Sequence, residues 1–203
     1  MSLNVSDLSI SRGGVKVLEG MGFTTIPGQA VIFRGPNGIG KTTLLRTLAG
    51  LQPVLGGRIE VDPENLVYSG HLDGLKAMLS VGENLAFWAS VYGNRDINEA
   101  VKAFELNKLL ERLAGTLSAG QKRRTSLARF PVSGRSIWIA DEPTVSLDSK
   151  AANMFKRCVE QHLELGGMAI IATHVDIGLP AAIEIDLSLH KPGVEKMRKI
   201  HEV

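Results

Sequence analysis

Apolar residues fall into two kinds of run along the chain. LSIS (8–11), VKVLEGMGFTTI (15–26) and AVIFRG (30–35) are short apolar or alternating segments, separated by Gly13-Gly14 and Pro27-Gly28. Bounded runs of this kind predict strands, so residues 3–35 read as β-rich. In KTTLLRTLAGL (41–51) the period changes, and Leu44, Leu45, Leu48 and Leu51 recur at helical spacing. RIEV (58–61) and NLVYSG (65–70) return to a strand pattern. From about residue 72 to 130 the pattern is helical. Ser80 with Glu83 forms a capping-box pattern ahead of NLAFWASVY, and Asp96 with Glu99 suggests a second start. SIWIA (136–140) and MAIIAT (168–173) are the continuous apolar runs of fully buried strands. Between them, SKAANMFKRCVEQHLEL (149–165) predicts a helix closed by Gly166-Gly167, and EIDLSL (184–189) predicts a last strand.

Apolar strands alternating with helices predict an α/β fold whose core sheet is mostly parallel and covered on both faces. The helical block reads as an inserted lobe. One domain is expected, with a core over about 1–71 and 131–190, a lobe over about 72–130 and a charged tail over 191–203. Lys and Arg number 23 against 21 Asp and Glu, a net charge of +2. Such a balance offers no bulk field for nucleic acid, so no nucleic-acid partner is expected. The single cysteine, Cys158, excludes an internal disulfide framework, suits a reducing compartment and is expected as a buried helix thiol. No stretch approaches the ~18 apolar residues of a membrane-spanning helix. The opening MSLNVSDLSI lacks the basic start of a secretory signal.

Gly35-Pro36-Asn37-Gly38-Ile39-Gly40-Lys41-Thr42 matches GxxxxGK[ST] between a predicted strand and a predicted helix. Glycines let the backbone wrap a phosphate, and successive N–H groups at a helix start supply a positive field. Lys41 is expected to reach the β- and γ-phosphates and the Thr42 hydroxyl to ligate Mg²⁺, with Thr43 completing the loop. The reading is a nucleoside triphosphate site.

IWIADE (137–142) ends a predicted buried strand in two carboxylates. Ligands of open α/β sheets sit beyond the carboxyl ends of the strands, next to the phosphate loop. Asp141 is placed to hold Mg²⁺, and Glu142 to polarise an attacking water.

LSAGQ (117–121), DEPTVSLD (141–148) and ATH (172–174), in that order after the phosphate loop, resemble an ATP-binding cassette ATPase over nearly the whole chain. The resemblance implies the P-loop fold of that family, with an antiparallel β subdomain and a helical lobe beside the core sheet. It also implies ATP and Mg²⁺ as cofactors, and a head-to-tail dimer enclosing two ATP molecules. In that dimer Ser118, Gly120 and Gln121 would face the nucleotide held by the partner's loop. Ser118 also reads as an ordinary N-cap, and the two roles are compatible. His174 would be the switch histidine at the γ-phosphate. Asp148 would link the two sites, or simply place charge at the N-terminus of the following helix.

Two positions depart from the family pattern. His71 stands where a glutamine that binds Mg²⁺ and couples the lobe is usual, and an imidazole is a shorter, pH-sensitive substitute. Arg12 stands near the usual adenine-stacking aromatic; a guanidinium can stack on a base, and the same residue also reads as a strand-end surface charge. GHxxGLK (70–76), ENLxFW (83–88) and LSAGQKRR (117–124) resemble the ATP-binding subunit of the cytochrome c maturation haem exporter. That resemblance implies an integral membrane permease as partner. It also implies a peripheral position on the cytoplasmic face of the inner membrane, or on the matrix face in a mitochondrion. The alternatives are another exporter, for lipids or drugs, and a soluble cassette acting on DNA or ribosomes. Lys122-Arg123-Arg124 could form a nucleic-acid patch, but within a helix just after LSAGQ it reads rather as a solvated face or as ion pairs within the lobe. Phe87, Trp88 and Tyr92 read mainly as core, and any of them left exposed could belong to a surface that receives a membrane partner.

Overall fold

The computed structural model describes residues 2–179 and 181–193, so the charged tail from residue 194 onward lies outside the described residues. Strands β1 (Leu3–Arg12) and β2 (Val15–Thr25) pair antiparallel around the Gly13-Gly14 turn, and β4 (Gly56–Glu60) joins the other edge of β1. The sequence pattern marks only 8–11 of β1, because Val5 and Leu8 are both buried at a spacing of three. An irregularity at Asp7, whose φ is 47°, resets the two-residue alternation there. The close approach of β4 explains Gly57: a Cβ on it would lie 2.4 Å from the Asp7 carbonyl oxygen.

The second sheet contains β3 (Ala30–Arg34), β5 (Leu66–Ser69), β6 (Ile137–Asp141), β7 (Met168–Ala172) and β8 (Ile183–Asp186). All its pairings are parallel, in the order β5-β6-β7-β3-β8. Alternate residues of its buried strands feed two apolar clusters. Val31, Phe33, Ile137, Ile139 and Ile170 pack against helix α1 (Lys41–Leu48) and the antiparallel sheet. Ala30, Ile32, Trp138, Ala140 and Ile171 pack against the opposite helical layer. That layer comprises α2 (Val81–Val91), α3 (Asn98–Ala103), α4 (Ala119–Leu127), α5 (Arg129–Ser133) and α6 (Ser149–Glu164). Phe130 of α5 stacks on Trp138 of β6 with centroids 5.1 Å apart, so helical segment and sheet share one core. Each large side chain buried there stabilises the fold by about 1.5–3 kcal/mol.

Four local expectations are refined. The helix expected over 41–51 stops at Leu48: Gly50 turns the chain at φ 71° and leaves Leu51 exposed. The Ser80–Glu83 capping box is present, but Asp96 makes none with Glu99; its carboxylate accepts from the Asn98 N–H and α3 starts one residue later. The strand expected to run to residue 189 ends at Asp186, whose carboxylate accepts from the Ser188 N–H and starts a 3₁₀ turn. Trp88 and Tyr92 pack against the core as expected, whereas Phe87 stays exposed beneath Lys76. Cys158 is buried, and desolvation pushes its thiol up to about 12.

Candidate active site

Three neighbouring strands end together. Asp141 of β6 and Phe33 of β3 both pair with Ala172 of β7, forming one row across the sheet. Beyond that row lie Gly35, Glu142 and His174, one from each strand end. His71 follows β5, whose Ser69 pairs with Ala140. The candidate residues, far apart in sequence, thus gather at the carboxyl edge of the sheet, the position favoured for ligands in this architecture.

The loop from Gly35 to Gly40 turns back over the start of α1. Gly40 caps that helix in the left-handed region at φ 118°, a conformation open to glycine and strained for other residues. Lys41 is nearly buried; its Nζ donates to the Gly35 carbonyl at 2.9 Å and lies 3.2 Å from Glu142 Oε1. Glu142 Oε2 lies 2.9 Å from His174 Nδ1 and 3.4 Å from the His174 N–H. One carboxylate therefore bridges the lysine of the phosphate loop and the histidine that follows β7. Arg34 braces the histidine: Nη1 donates to the carbonyls of Thr173 and Val175, on either side of it, at 3.4 and 2.7 Å. Its other face pairs with Glu184 at 2.6 Å.

Thr42 Oγ1 donates to Asp141 Oδ2 at 2.7 Å. Oδ1 of the same aspartate is buried and accepts no hydrogen bond from the protein. Burial raises the Asp141 carboxyl above its ordinary value, opposed by the Thr42 hydrogen bond and reinforced by the charge of Glu142. A free, buried carboxylate oxygen beside a threonine hydroxyl is a donor set suited to a hard divalent cation, so these residues fit Mg²⁺.

A cavity of about 240 Å³ opens over this edge, lined by Arg12, Asn37, Gly38, Gly40, Lys41, Thr42, Thr43, His71, Asp141 and Glu142. Arg12 and His71, the two departures from the family pattern, are exposed on its rim. Pro36 and Ile39 belong to the loop without lining the cavity. Ser118, Gly120, Gln121 and Asp148 also lie outside its lining. Ser118 caps α4 by accepting from the Gln121 N–H, and the Gln121 side chain returns the bond to the Ser118 N–H. The exposed Ser118 hydroxyl thereby keeps its own hydrogen free to donate. Asp148 caps α6 through the Ala151 N–H at 2.7 Å.

Arg123 makes an ion pair within the lobe, with Asp73 at 3.5 Å, but it is no solvated face: its side chain is only 4% exposed and also reaches out of the lobe to the backbone behind the acidic strand end. Its position four residues before Leu127 and seven before Phe130, both buried, was the available signal. Adjacent Arg124 donates to the Phe104 carbonyl, within the helical layer as expected.

Residues 18–145 match the family described as ABC transporter, a span holding the phosphate loop, the LSAGQ segment and the acidic strand end. The chain belongs to the ABC transporter family. Similar ABC proteins include the cytochrome c biogenesis ATP-binding export protein CcmA of Ruegeria pomeroyi, 61% identical over 90% of each chain. The protein of the same name from Roseobacter denitrificans is 57% identical over 92% of this chain and 91% of its own. Among solved structures, an ATP-binding ABC transporter protein of Pyrococcus furiosus superposes with a TM-score of 0.84 at 28% identity, over 94% of this chain and all of that one. The ABC fold accounts for both sheets, and the chain is an ATP-binding, ATP-hydrolysing transporter subunit.

Proposed function

We propose that this ABC ATPase powers the haem exporter of cytochrome c maturation, working beneath a separate membrane permease. The observation that carries the assignment is the 61% identity, across 90% of both chains, to a protein named for ATP-dependent export in cytochrome c biogenesis. Among the described residues no helix is long and apolar enough to cross a membrane; in this proposal the permease supplies the span. A soluble cassette acting on DNA or ribosomes is disfavoured: the described residues contain no helix longer than the 16 residues of α6, leaving no coiled-coil arm.

The chemistry follows from the edge of the sheet. ATP threads its phosphates under the N–H groups of Asn37–Thr42, with Lys41 turning from Glu142 to the β- and γ-phosphates. Thr42 and Asp141, with His71 from the rim, would hold Mg²⁺, which neutralises charge on the phosphates. Release from Lys41 frees Glu142 to orient a water and accept its proton as oxygen bonds to the γ-phosphorus. The bond from that phosphorus to the bridging oxygen breaks, and ADP and inorganic phosphate leave. His174, held by Glu142 and Arg34, faces the γ-phosphoryl group. Arg12 stacks on or beside the base.

Ser118 and Gly120, lying outside the cavity with a free hydroxyl at a helix start, fit a role against the ATP of a second, head-to-tail copy. ATP, binding the closed pair more tightly than the open one, shifts the population towards closure, and hydrolysis removes that bias. The permease converts the cycle into transport from the cytoplasmic face of the membrane. To test the assignment, the native gene is deleted in its own cell and replaced by wild type or Lys41→Ala. Loss of covalently bound haem from membranes, with b-type cytochromes retained and only wild type restoring it, supports the role. Undiminished c-type cytochromes in the deletion would reject it.

A further inference from the structure

The structure assigns Arg123 as the positioning residue that sets Glu142 in its working orientation and ties it to the His71 loop. The inference rests on the reading of Glu142 as the base. Glu142 lies at φ 46°, in the left-handed region that non-glycine residues rarely adopt. Such a conformation costs on the order of 1–3 kcal/mol and persists only where neighbours over-determine it. Here both of its backbone polar groups are held. Its N–H donates to the Ala172 carbonyl at 2.8 Å. Its carbonyl accepts from Arg123 Nη2 at 2.7 Å.

The same guanidinium also collects the flanking carbonyls. Nη2 reaches Asp141 at 3.1 Å, and Nε reaches Pro143 at 3.1 Å. Three consecutive carbonyls turned towards one cation require the chain to bend at the middle residue, and that residue is Glu142. The bend sends its side chain the other way, to Lys41 and His174. On the far side Nη1 reaches the carbonyls of Gly70 and His71, at 3.2 and 3.4 Å, and the Asp73 carboxylate at 3.5 Å.

The planar fork matters because it spans both loops at once. A lysine ammonium could donate to some of these carbonyls but could not hold two loops at fixed spacing. Arg123 sits on α4, five residues after Ser118, which caps that helix. A displacement of the Ser118 cap therefore reaches Glu142 and the His71 loop through one side chain, without a chain of intermediates.

The test uses the full chain and four proteins: wild type, Arg123→Lys, Glu142→Gln and the double variant. For Arg123→Lys we expect kcat to fall about 10- to 100-fold with KM for ATP within about threefold, as for a reacting group misplaced by about 1 Å. The double variant should be no slower than Glu142→Gln, because Arg123 acts through that carboxylate. Unchanged kcat in Arg123→Lys, a change confined to KM, or losses that multiply in the double variant would overturn the assignment. Should Arg123→Lys not fold, Asp73→Asn at its half-exposed loop position decides: a drop in kcat that vanishes in the Glu142→Gln background supports the role, and no drop refutes it. Full turnover by Glu142→Gln alone would instead remove the base reading on which the inference stands.

Discussion

The carboxylate of Glu142, just beyond β6, lies 2.9 Å from Nδ1 of His174, two residues beyond β7. The two residues are 32 positions apart, and only the parallel pairing of Asp141 with Ala172 brings their strand ends level. Opposite the histidine, the same carboxylate faces Lys41. Lys41, Glu142 and His174 thus form one continuous set of contacts, and in the proposed function the γ-phosphate binds among them.

That arrangement separates binding from chemistry. Lys41→Ala removes the charge that meets the phosphates and should weaken ATP binding about 10- to 100-fold, the effect of losing one charge-assisted contact. Titration with a fluorescent ATP analogue measures it; unaltered affinity would mean that the backbone alone carries the phosphates.

His174→Ala leaves the phosphate loop intact and takes one partner from Glu142. Turnover should fall about 100-fold with KM nearly unchanged. A rise in KM at constant kcat would assign the histidine to binding instead.

The carboxylate of Asp141 gives a pH signature. Burial raises its folded pKa above the ordinary value of 3.8, so the folded state holds the proton longer than the unfolded chain. The unfavourable term is absent below pH 3.8, grows as pH rises through the raised folded value and stays in full above it. Asp141→Asn should therefore melt higher than wild type at neutral pH without Mg²⁺, and lose most of the stabilisation that Mg²⁺ with ATP confers. Thermal melts with and without Mg²⁺-ATP test both halves.

His162 gives the opposite sign elsewhere in the fold. Its ring stacks on Trp138 with centroids 3.8 Å apart, and burial lowers its pKa below 6.5 against the hydrogen bonds to Met168 and Ser136. The unfolded chain binds the extra proton first, so stability falls as pH drops below 6.5 towards the folded value. His162→Gln should flatten that part of the melting-temperature profile; an unchanged slope would place the sensitivity on another group.

How much of this was visible in the sequence depends on the range of the interactions. The phosphate loop, the acidic strand end and the Ser118 cap are built from contiguous residues, so their spacing carries their geometry. Strand and helix order followed from the switch between continuous and periodic apolar runs. Arg123 was hidden because it is one of three adjacent cations, and its partners lie about 20 and 50 residues away in two loops. Arg34 was missed for the same reason, since the Thr173 and Val175 carbonyls it holds are about 140 residues distant. EIDLSL read as one strand because alternation survives past Asp186, where a local side-chain bond diverts the backbone.

Turnover by Glu142→Gln tests the central claim most directly. Phosphate release and light scattering would be followed on the full chain at saturating Mg²⁺-ATP. The account predicts ATP binding close to wild type, turnover reduced by at least 100-fold, and a dimer that accumulates because closure is no longer undone by hydrolysis. Wild-type phosphate release from a protein that stays monomeric would contradict both the base assigned to Glu142 and the closed pair in which it acts.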